Sequence, residues 1–470
     1  MKIKLGLGKA NMKEIALWCG GELYDFTGEC GCSFEYVCTD SREADENTMF
    51  VATRGERVDG HDYIVNALNA GCRCILCEYV PTNISGRAAA YVVVENSIDA
   101  FADCARGYRS AQPLPTVAIT GSVGKTTTKE LTAAILGRKY KNYCTKGNFN
   151  SVIGMPMSLM EAEGECESAV FEMGMSGFGE IARMSHAATP MVAMVTNIGS
   201  SHLEYLKTRE NIAKAKLEIG KGLVDGGHLL LNGDEPLLAD HYSDRYETVY
   251  VGSGKNGQCS FLIENVRVAA DGTYFDLTYL GQTYYNLKIN LVGKHFAYNA
   301  AFAAAAAFLL GVDARDIYAG LAEYKPQNMR MQISEKNGVI VIADCYNAAP
   351  ESMRAAIDTL ASIECGGKRI AVLGDMRELG KDSDELHREI GNYLAKMKID
   401  ALFTLGESGA LIAEAAVGAG IEQVFSETDG ENYQALAAEI KKHLQSGDMI
   451  LFKASRAMAL ERLIDELFKD

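Results

Sequence analysis

The sequence has no excess of positive charge, no long hydrophobic run and no cysteine pattern of the kind that binds metal. Its 46 lysines and arginines stand against 62 aspartates and glutamates, for a formal net charge of −16 over 470 residues. This balance argues against broad binding to nucleic acid or to an anionic membrane surface. An acidic protein that handles phosphates must instead concentrate positive charge locally, at loops and metal ions.

Hydrophobic runs are too short to predict a membrane span, since the alanine-rich stretch at 300–310 falls below the roughly 20 residues that a span requires. The 13 cysteines are an odd number, scattered without metal-ligand spacing, and Met1-Lys2-Ile3-Lys4 shows no secretory signal. We therefore interpret the cysteines as reduced thiols and expect a cytoplasmic protein without membrane insertion.

Long Gly/Ser-rich linkers, internal repeats and low-complexity tracts are also absent, so the domains predicted from chain length meet at short hinges. Residues 1–98 predict a small α/β domain. Residues 99–325 alternate apolar strands with helices, which predicts a parallel sheet, and the period-two pattern over 258–293 adds an antiparallel edge. Residues 326–470 predict a Rossmann-like domain without the G-x-G-x-x-G dinucleotide fingerprint. The predicted fold class is α/β, in three domains.

Local patterns predict individual elements. Strands are predicted at residues 36–39, 48–52, 74–77, 91–94, 117–120, 339–343, 369–373, 401–405 and 449–452. Helices are predicted at residues 62–69, 125–136, 296–310, 350–363 and 383–397.

The most informative stretch is the loop between the predicted strand 117–120 and the predicted helix 125–136. The loop consists of Gly121, Ser122, Val123, Gly124, Lys125, Thr126 and Thr127. Glycines let the backbone curl so that its N–H groups and the helix N-terminus converge on phosphate. Lys125 would then reach the β- and γ-phosphates, and the Thr126 hydroxyl would bind Mg²⁺. Ile119 occupies the position of the first glycine of the usual P-loop, so this is the shorter G-x-x-G-K-T-T form. An ordinary strand-to-helix turn would not account for Lys-Thr-Thr at a helix start.

Further polar candidates follow predicted strands. Glu172 and His202 come just after core strands, where carboxylate and imidazole groups could hold Mg²⁺ beside a γ-phosphate, although either alone could be a surface residue. Asn148 and Asn150 lie in a Gly/Asn-rich turn that could contact phosphate or acyl oxygens, and asparagine is also routine in turns.

Eight sequence blocks carry a resemblance that spans Asp40 to Arg456. They are ITGSVGKTTTKE, TKGNFNSVIGMP, FEMGMSGFGEI, TNIGSSHLE, AKAKLEI, DCYNAAPESM, GDMRELG and KASR. Together they resemble the Mur ligases. GDMRELG followed by Ser383 and His387, with DCYNAAPESM before it, is similar to the members that add D-alanyl-D-alanine. The DNPR-type motif of lysine- or diaminopimelate-adding members is not found.

This resemblance implies ATP-dependent amide ligation in the last cytoplasmic step of peptidoglycan pentapeptide precursor synthesis. The γ-phosphate of ATP would go to the terminal carboxylate of UDP-N-acetylmuramoyl-tripeptide, forming an acyl phosphate. The amine of D-alanyl-D-alanine would then attack. Lys125 and the loop amides would hold phosphate. Thr126 and Glu172 would bind one Mg²⁺, and His202 would help to bind a second Mg²⁺. Lys216 matches the family's carbamylated lysine, whose carbamate derives from CO₂, whereas spacing alone would place Lys216 on a solvated helix face.

The same resemblance implies contacts with the nucleotide and with the dipeptide. Asn299 matches the adenine-side asparagine of the H-N-x-x-N motif, in which Phe296 here replaces the first asparagine. Arg330 and Asp344 match positions that approach the nucleotide from the third domain, and the alternative for both is an interdomain or surface ion pair. Asn347 is a candidate on the dipeptide side.

The domains would divide the substrates. Residues 1–98 would hold the UDP end of the acceptor, with Ser41 and Arg42 near the nucleotide. Residues 99–325 would bind ATP, and residues 326–470 would bind the dipeptide and close on ATP in a monomer. Two alternatives stay open: a related ligase that adds another amine or works on folylpolyglutamate, and a nucleotide-dependent switch or scaffold.

Overall fold

The computed structural model describes residues 1–27, 32–55, 58–82, 88–257, 259–326 and 329–469. Within these ranges the chain folds into three consecutive α/β units, each built on its own main sheet. The mixed α/β class with a parallel central sheet is confirmed.

The first unit runs from β1 to α3. Its strands are β1 (Lys2–Lys4), β2 (Ala10–Asn11), β3 (Glu22–Asp25), β4 (Ser33–Phe34), β5 (Tyr36–Cys38), β6 (Thr48–Val51), β7 (Cys74–Cys77) and β8 (Ala90–Val93). Its helices are α1 (Met12–Cys19), α2 (Ile64–Asn69) and α3 (Ser97–Ser110). The main sheet has the order β1-β5-β6-β7-β8-β3, parallel from β5 to β8 and antiparallel at both edges, and β2 pairs with β4. Helix α2 starts two residues later than predicted because a 3₁₀ turn, capped by the Asp59 side chain, precedes it.

The central unit runs from β9 to α10. Its strands are β9 (Thr116–Thr120), β10 (Asn142–Cys144), β11 (Ser168–Glu172), β12 (Val192–Val195), β13 (His228–Asn232), β14 (Glu247–Gly252), β15 (Phe261–Ala269), β16 (Gly272–Tyr279) and β17 (Gln282–Ile289). Its helices are α4 (Lys125–Leu136), α5 (Gly154–Glu161), α6 (Glu180–Ala188), α7 (Leu203–Leu206), α8 (Arg209–Leu217), α9 (His295–Leu309) and α10 (Ala314–Glu323). The sheet order is β10-β11-β9-β12-β13-β14-β15-β16-β17, parallel up to β15 and antiparallel beyond it. The predicted antiparallel edge is confirmed.

The third unit runs from β18 to α15. Its strands are β18 (Gln332–Lys336), β19 (Val339–Ala343), β20 (Arg369–Gly374), β21 (Ala401–Leu405), β22 (Val424–Glu427) and β23 (Met449–Lys453). Its helices are α11 (Pro350–Ser362), α12 (Ser383–Leu394), α13 (Glu407–Gly418), α14 (Tyr433–His443) and α15 (Glu461–Leu467). The sheet order is β18-β19-β23-β20-β21-β22, parallel except for β18.

The central sheet packs against a different neighbour on each face. Val117 and Ile119 of β9 belong to an apolar cluster that continues into the third unit, whereas Ala118 belongs to one that continues into the first unit. Successive side chains of a strand point to opposite faces, so one strand serves both cores. None of the described helices combines the length and the apolar character needed to cross a bilayer.

Candidate active site

The predicted phosphate loop connects β9 to α4, and α4 starts at Lys125 as predicted. Gly124 caps the helix with φ = 80°, and a Cβ atom there would lie 2.8 Å from Oδ1 of Asn299. A Cβ atom at Gly121 would lie 1.9 Å from Oγ1 of Thr196. Both glycines are therefore required by the close approach of neighbouring side chains as well as by the curl of the loop.

The segment that follows β12 holds the loop in shape. Oδ1 of Asn197 accepts hydrogen bonds from the backbone N–H groups of Ser122, at 3.0 Å, and Val123, at 2.9 Å. The Gly199 N–H donates to Oγ of Ser122 at 2.8 Å. Two loop amides that were expected to face phosphate thus bond Asn197 in this arrangement. Asn197 is not among the predicted site residues, although it follows a core strand, the same signal that indicates Glu172.

A cavity of about 390 Å³ lies in front of this loop. Its lining includes these predicted site residues: Ser122, Val123, Gly124, Lys125, Thr126, Thr127, Asn148, Glu172, Arg330, Asp344 and Asn347. The fold therefore brings candidates from the central and third units into one site. Gly121, Asn299, His202 and Lys216 are not among the described residues that line it.

Arg330 reaches the loop from the start of the third unit. Its guanidinium donates a hydrogen bond to Oγ1 of Thr126 at 3.1 Å and lies 4.0 Å from the ring centroid of Tyr346. Asp344 forms its ion pair within the third unit, because Nζ of the buried Lys453 lies 2.6 Å from Oδ2 of Asp344 and also donates to the Asn347 carbonyl at 3.0 Å. Positive charge is thus concentrated where a nucleotide phosphate would enter.

Glu172 ends β11 and is only 3% exposed. Its Oε1 accepts a hydrogen bond from Nδ2 of Asn150 at 2.8 Å. Its Oε2 is buried without a hydrogen-bond partner in the described part of the chain, and Nζ of Lys129 lies 3.9 Å away. A buried carboxylate oxygen that lacks a donor is unfavourable until a cation or donor completes it, so Glu172 fits a cation such as Mg²⁺.

His202 contacts the third unit. Its Nδ1 lies 2.8 Å from Oε2 of Glu378, and this contact lowers the pKa of the Glu378 carboxyl. Glu378 is not among the predicted site residues, although it lies in the GDMRELG block. The backbone of both residues adopts positive φ, 68° for His202 and 64° for Glu378, a conformation uncommon for residues with a side chain.

Lys216 is buried on α8, with 1% of its surface exposed, so the alternative of a solvated helix face is wrong. Burial lowers the pKa of Lys216 well below its usual range, and the charge of Lys125 lowers it further. Burial also lowers the pKa of Lys125. Among the described residues, Nζ of Lys216 has no hydrogen-bond or ion-pair partner. Burial and the charge of Lys125 both favour the neutral form of the Lys216 amine.

Phe296 and Asn299 lie on the first turns of α9. Phe296 lines the cavity, and its ring centroid lies 3.9 Å from that of His295, which lines the cavity too. Asn299 is buried against Gly124, underneath the phosphate loop. The replacement of asparagine by Phe296 thus presents an aromatic ring to the cavity.

Ser41 and Arg42 lie in the first unit, on a 3₁₀ turn (Ser41–Glu43) capped by the Asp40 side chain. Ser41 is buried, whereas Arg42 is exposed and its guanidinium lies 2.6 Å from Oδ2 of Asp40. Hydrogen bonds from Arg42 hold the pKa of the Asp40 carboxyl well below its usual range. Neither Ser41 nor Arg42 is among the described residues that line the cavity beside the phosphate loop.

In the ranges that the structure describes, no three or more histidine, cysteine, aspartate and glutamate side chains cluster as a metal site. A metal ion bound here would need ligands of other kinds besides Glu172. The Thr126 hydroxyl and phosphate oxygens are suitable, because Mg²⁺ prefers oxygen ligands. Only a few of these ligands usually come from the protein, and the others come from phosphate and water.

The fold and the cavity together define a P-loop protein whose third unit lines the cavity beside the phosphate loop together with the central unit. Three family descriptions match the chain: "Mur ligase family, catalytic domain" at residues 33–110, "Mur ligase middle domain" at 119–307 and "Mur ligase, glutamate ligase domain" at 329–456. The Bacillus subtilis UDP-N-acetylmuramoyl-tripeptide–D-alanyl-D-alanine ligase is 38% identical over 438 residues, which cover 92% of this chain and 93% of that protein. The chain therefore belongs to the Mur ligase family.

Further relatives also match along most of the chain. The ligase of the same name from Escherichia coli is 33% identical, with 93% of this chain and 94% of that protein covered. A crystal structure of MurF from Acinetobacter baumannii superposes with a TM-score of 0.89 at 29% identity, covering 99% of this chain and 100% of that one. MurF ligase from Thermotoga maritima, solved in complex with ADP, gives a TM-score of 0.81 at 30% identity, covering 92% and 97%.

Proposed function

We propose that this chain is an ATP-dependent amide ligase that joins D-alanyl-D-alanine to UDP-N-acetylmuramoyl-tripeptide. The observation that carries the proposal is the cavity beside the phosphate loop, where Lys125, Glu172 and Arg330 converge from two units. The names of the relatives, which match along almost the whole chain, support this choice of substrates. The reaction would complete the peptidoglycan pentapeptide precursor in the cytoplasm, with the chain acting as a monomer.

The proposed chemistry overcomes the poor reactivity of a carboxylate, whose negative charge repels nucleophiles. The γ-phosphoryl group of ATP moves to a carboxylate oxygen of the tripeptide, so that ADP leaves and an acyl phosphate forms. The dipeptide amine then attacks the carbonyl carbon, loses a proton and expels phosphate as the amide bond forms. The protein contributes mainly by positioning the reactants and stabilising charge.

The residues around the phosphate loop would share this task. Lys125 and the loop amides would hold the β- and γ-phosphates, with Arg330 adding a second positive charge beside Thr126. Asn299 and Asp344 would lie on the nucleotide side, with Asn148 near the transferred group. Thr126 and Asn299 are buried, and limited access of water strengthens electrostatic contacts.

Two Mg²⁺ ions would be held by Thr126, Glu172, His202 and a carbamylated Lys216. Bound there, they would neutralise charge on the phosphates. The lowered pKa of the unpartnered Lys216 amine supports the carbamate, because only a neutral amine attacks CO₂, releasing one proton as the carbamate forms. A carbamate also offers anionic oxygens, whereas an ammonium would repel a nearby cation.

The three predicted domains would divide the substrates. Residues 1–98 would hold the UDP end through Ser41 and Arg42. Residues 99–325 would bind ATP. Residues 326–470 would bind the incoming dipeptide, with Asn347 at its site, and would close on ATP.

Phosphate release tests this function against its alternatives. We expect release from ATP to require both UDP-N-acetylmuramoyl-tripeptide and D-alanyl-D-alanine. A ligase for another amine would instead respond to that amine, and a nucleotide-dependent switch would release phosphate at the same rate without either substrate. Equal release without the two substrates would overturn the proposed ligation.

A further inference from the structure

Glu351, in the first turn of α11, makes a contact between the third and central units to which the proposed chemistry gives no role. Its Oε1 accepts two hydrogen bonds from Ser200, one from the backbone N–H at 2.9 Å and one from Oγ at 2.8 Å. Ser200 is buried and lies in the segment that follows β12. Because the partners belong to different units, both bonds depend on the two units lying together.

Gly199 leaves just enough room for this carboxylate. A Cβ atom at Gly199 would lie 2.7 Å from the carboxylate carbon of Glu351 and 2.8 Å from its Oε2. Oε2 itself is buried and has no hydrogen-bond partner in the described part of the chain. The contact therefore combines two satisfied hydrogen bonds with one carboxylate oxygen that water would solvate if the units separated.

The same segment of the central unit shapes the phosphate loop. Oγ1 of Thr196 donates to the Val123 carbonyl at 2.8 Å, in addition to the bonds that Asn197 accepts and the bond that Gly199 donates. A chain of direct contacts thus runs from Glu351 to Ser200, along the backbone to Gly199 and on to Oγ of Ser122.

The third unit also contacts the segment after β12 at a second place. The contact between Glu378 and His202 lies two residues beyond Ser200, and a Cβ atom at Gly380 would lie 2.8 Å from Cα of Glu204. The third unit therefore contacts the central unit along the region from Ser200 to Glu204. Within this region, Ser200 is the residue nearest in sequence to Asn197 and Gly199, which bond the phosphate loop.

We propose that Glu351 is a positioning residue that couples closure of the third unit to the shape of the phosphate loop. With the units together, its two hydrogen bonds fix Ser200, so that Asn197 and Gly199 hold Ser122 and Val123 in the closed geometry. With the units apart, Ser200 loses both bonds and Oε2 regains water. The unsatisfied oxygen keeps the contact reversible, as repeated catalytic cycles require. The kinetic consequence of this inference rests on the proposed ligation.

Three variants test it. Glu351→Ala removes both hydrogen bonds and should lower kcat roughly tenfold or more. The KM for ATP should stay within about threefold of the wild-type value, because the contact between Glu351 and Ser200 forms after the nucleotide has bound. Glu351→Gln keeps an oxygen acceptor for Ser200 and should retain kcat within about threefold. Glu385→Ala, which removes an exposed acid from the first turn of α12, is the matched control and should leave kcat unchanged.

Melting temperature and a double variant separate positioning from a loss of structure. Ser200→Ala should lower kcat in the wild-type background and have little further effect with Glu351→Ala, because both remove the same bond. The melting temperature of Glu351→Ala should match that of the control. Equal losses in Glu351→Ala and Glu351→Gln, or a kcat for Glu351→Ala equal to that of the control, would overturn the proposal.

Small-angle scattering with the β,γ-imido analogue of ATP and the tripeptide substrate provides a readout that does not require turnover. The wild type should become more compact on addition of both ligands, and Glu351→Ala should compact less. Full compaction of Glu351→Ala would contradict the proposed role of Glu351 in closure of the third unit. If the wild type shows no substrate-dependent phosphate release, the proposed ligation fails while the scattering result still decides the role of Glu351.

Discussion

At the scale of single residues, burial changes what Lys216 can do. We expect Lys216→Ala to lose activity by about a hundredfold or more, and added bicarbonate or short carboxylic acids to restore part of it by supplying the missing anionic oxygens. Isotope-labelled bicarbonate should give a carbamate signal in the nuclear magnetic resonance spectrum of the wild type that the variant lacks. Lys214→Ala, at an exposed position two residues earlier, is the control. Normal turnover of Lys216→Ala would contradict the carbamate.

His295 should make stability depend on pH. Burial, helped by the charge of Lys453, lowers the pKa of His295 to about 4. Since the unfolded chain takes up this proton near pH 6.5 and the folded chain resists it, stability is full above about pH 6.5 and falls as the pH drops toward 4. The loss should reach about 1–3 kcal/mol.

Denaturant unfolding of the nucleotide-free protein measures this loss. His295→Gln cannot take up the proton, so its stability should fall less between pH 7.5 and 4.5. Identical slopes for the variant and the wild type would show that His295 is not the group responsible.

At the scale of elements, the phosphate loop depends on the backbone geometry of Gly124. Gly124→Ala places a Cβ at φ = 80° and 2.8 Å from Oδ1 of Asn299, so we expect affinity for an ATP analogue to fall at least about tenfold and stability by about 1–3 kcal/mol. Calorimetric titration and denaturant unfolding measure the two effects.

Gly226 offers a matched control for the Gly124 variant. It also has positive φ, 72°, but no atom would lie within 4 Å of its added Cβ. Gly226→Ala should therefore lose a little stability and no affinity for the nucleotide analogue. An equal loss of affinity in both variants would mean that the geometry of the loop is not what binds phosphate.

Short sequence patterns predict most of the helices and strands. They do not predict contacts between residues that are distant in sequence. The phosphate loop, β9 and α4 follow from neighbouring residues, since apolar alternation and Gly-Lys-Thr act within one turn or strand. The bonds of Asn197 to the loop could not be predicted, because they require strands distant in sequence to become neighbours. Lys216 belongs to a polar stretch of α8, so no local pattern indicates its burial.

At the scale of the whole molecule, the candidate site exists because two units meet. The Arg330–Thr126 and Glu351–Ser200 bonds join residues 204 and 151 positions apart. Family resemblance indicated Arg330, whereas neither resemblance nor periodicity indicated Glu351. Contacts of this kind depend on how domains dock, which a single sequence does not encode in any short pattern.

In the proposed reaction, the γ-phosphoryl group of ATP is transferred to the terminal carboxylate of the tripeptide. Transfer to a carboxylate oxygen leaves that oxygen in the phosphate when the amine expels it. The most direct test uses UDP-N-acetylmuramoyl-tripeptide labelled with heavy oxygen at its terminal carboxylate, together with ATP and D-alanyl-D-alanine, and mass analysis of the released phosphate. We predict that each phosphate released carries one heavy oxygen. Unlabelled phosphate, the product of attack by water on ATP, would contradict transfer to the carboxylate.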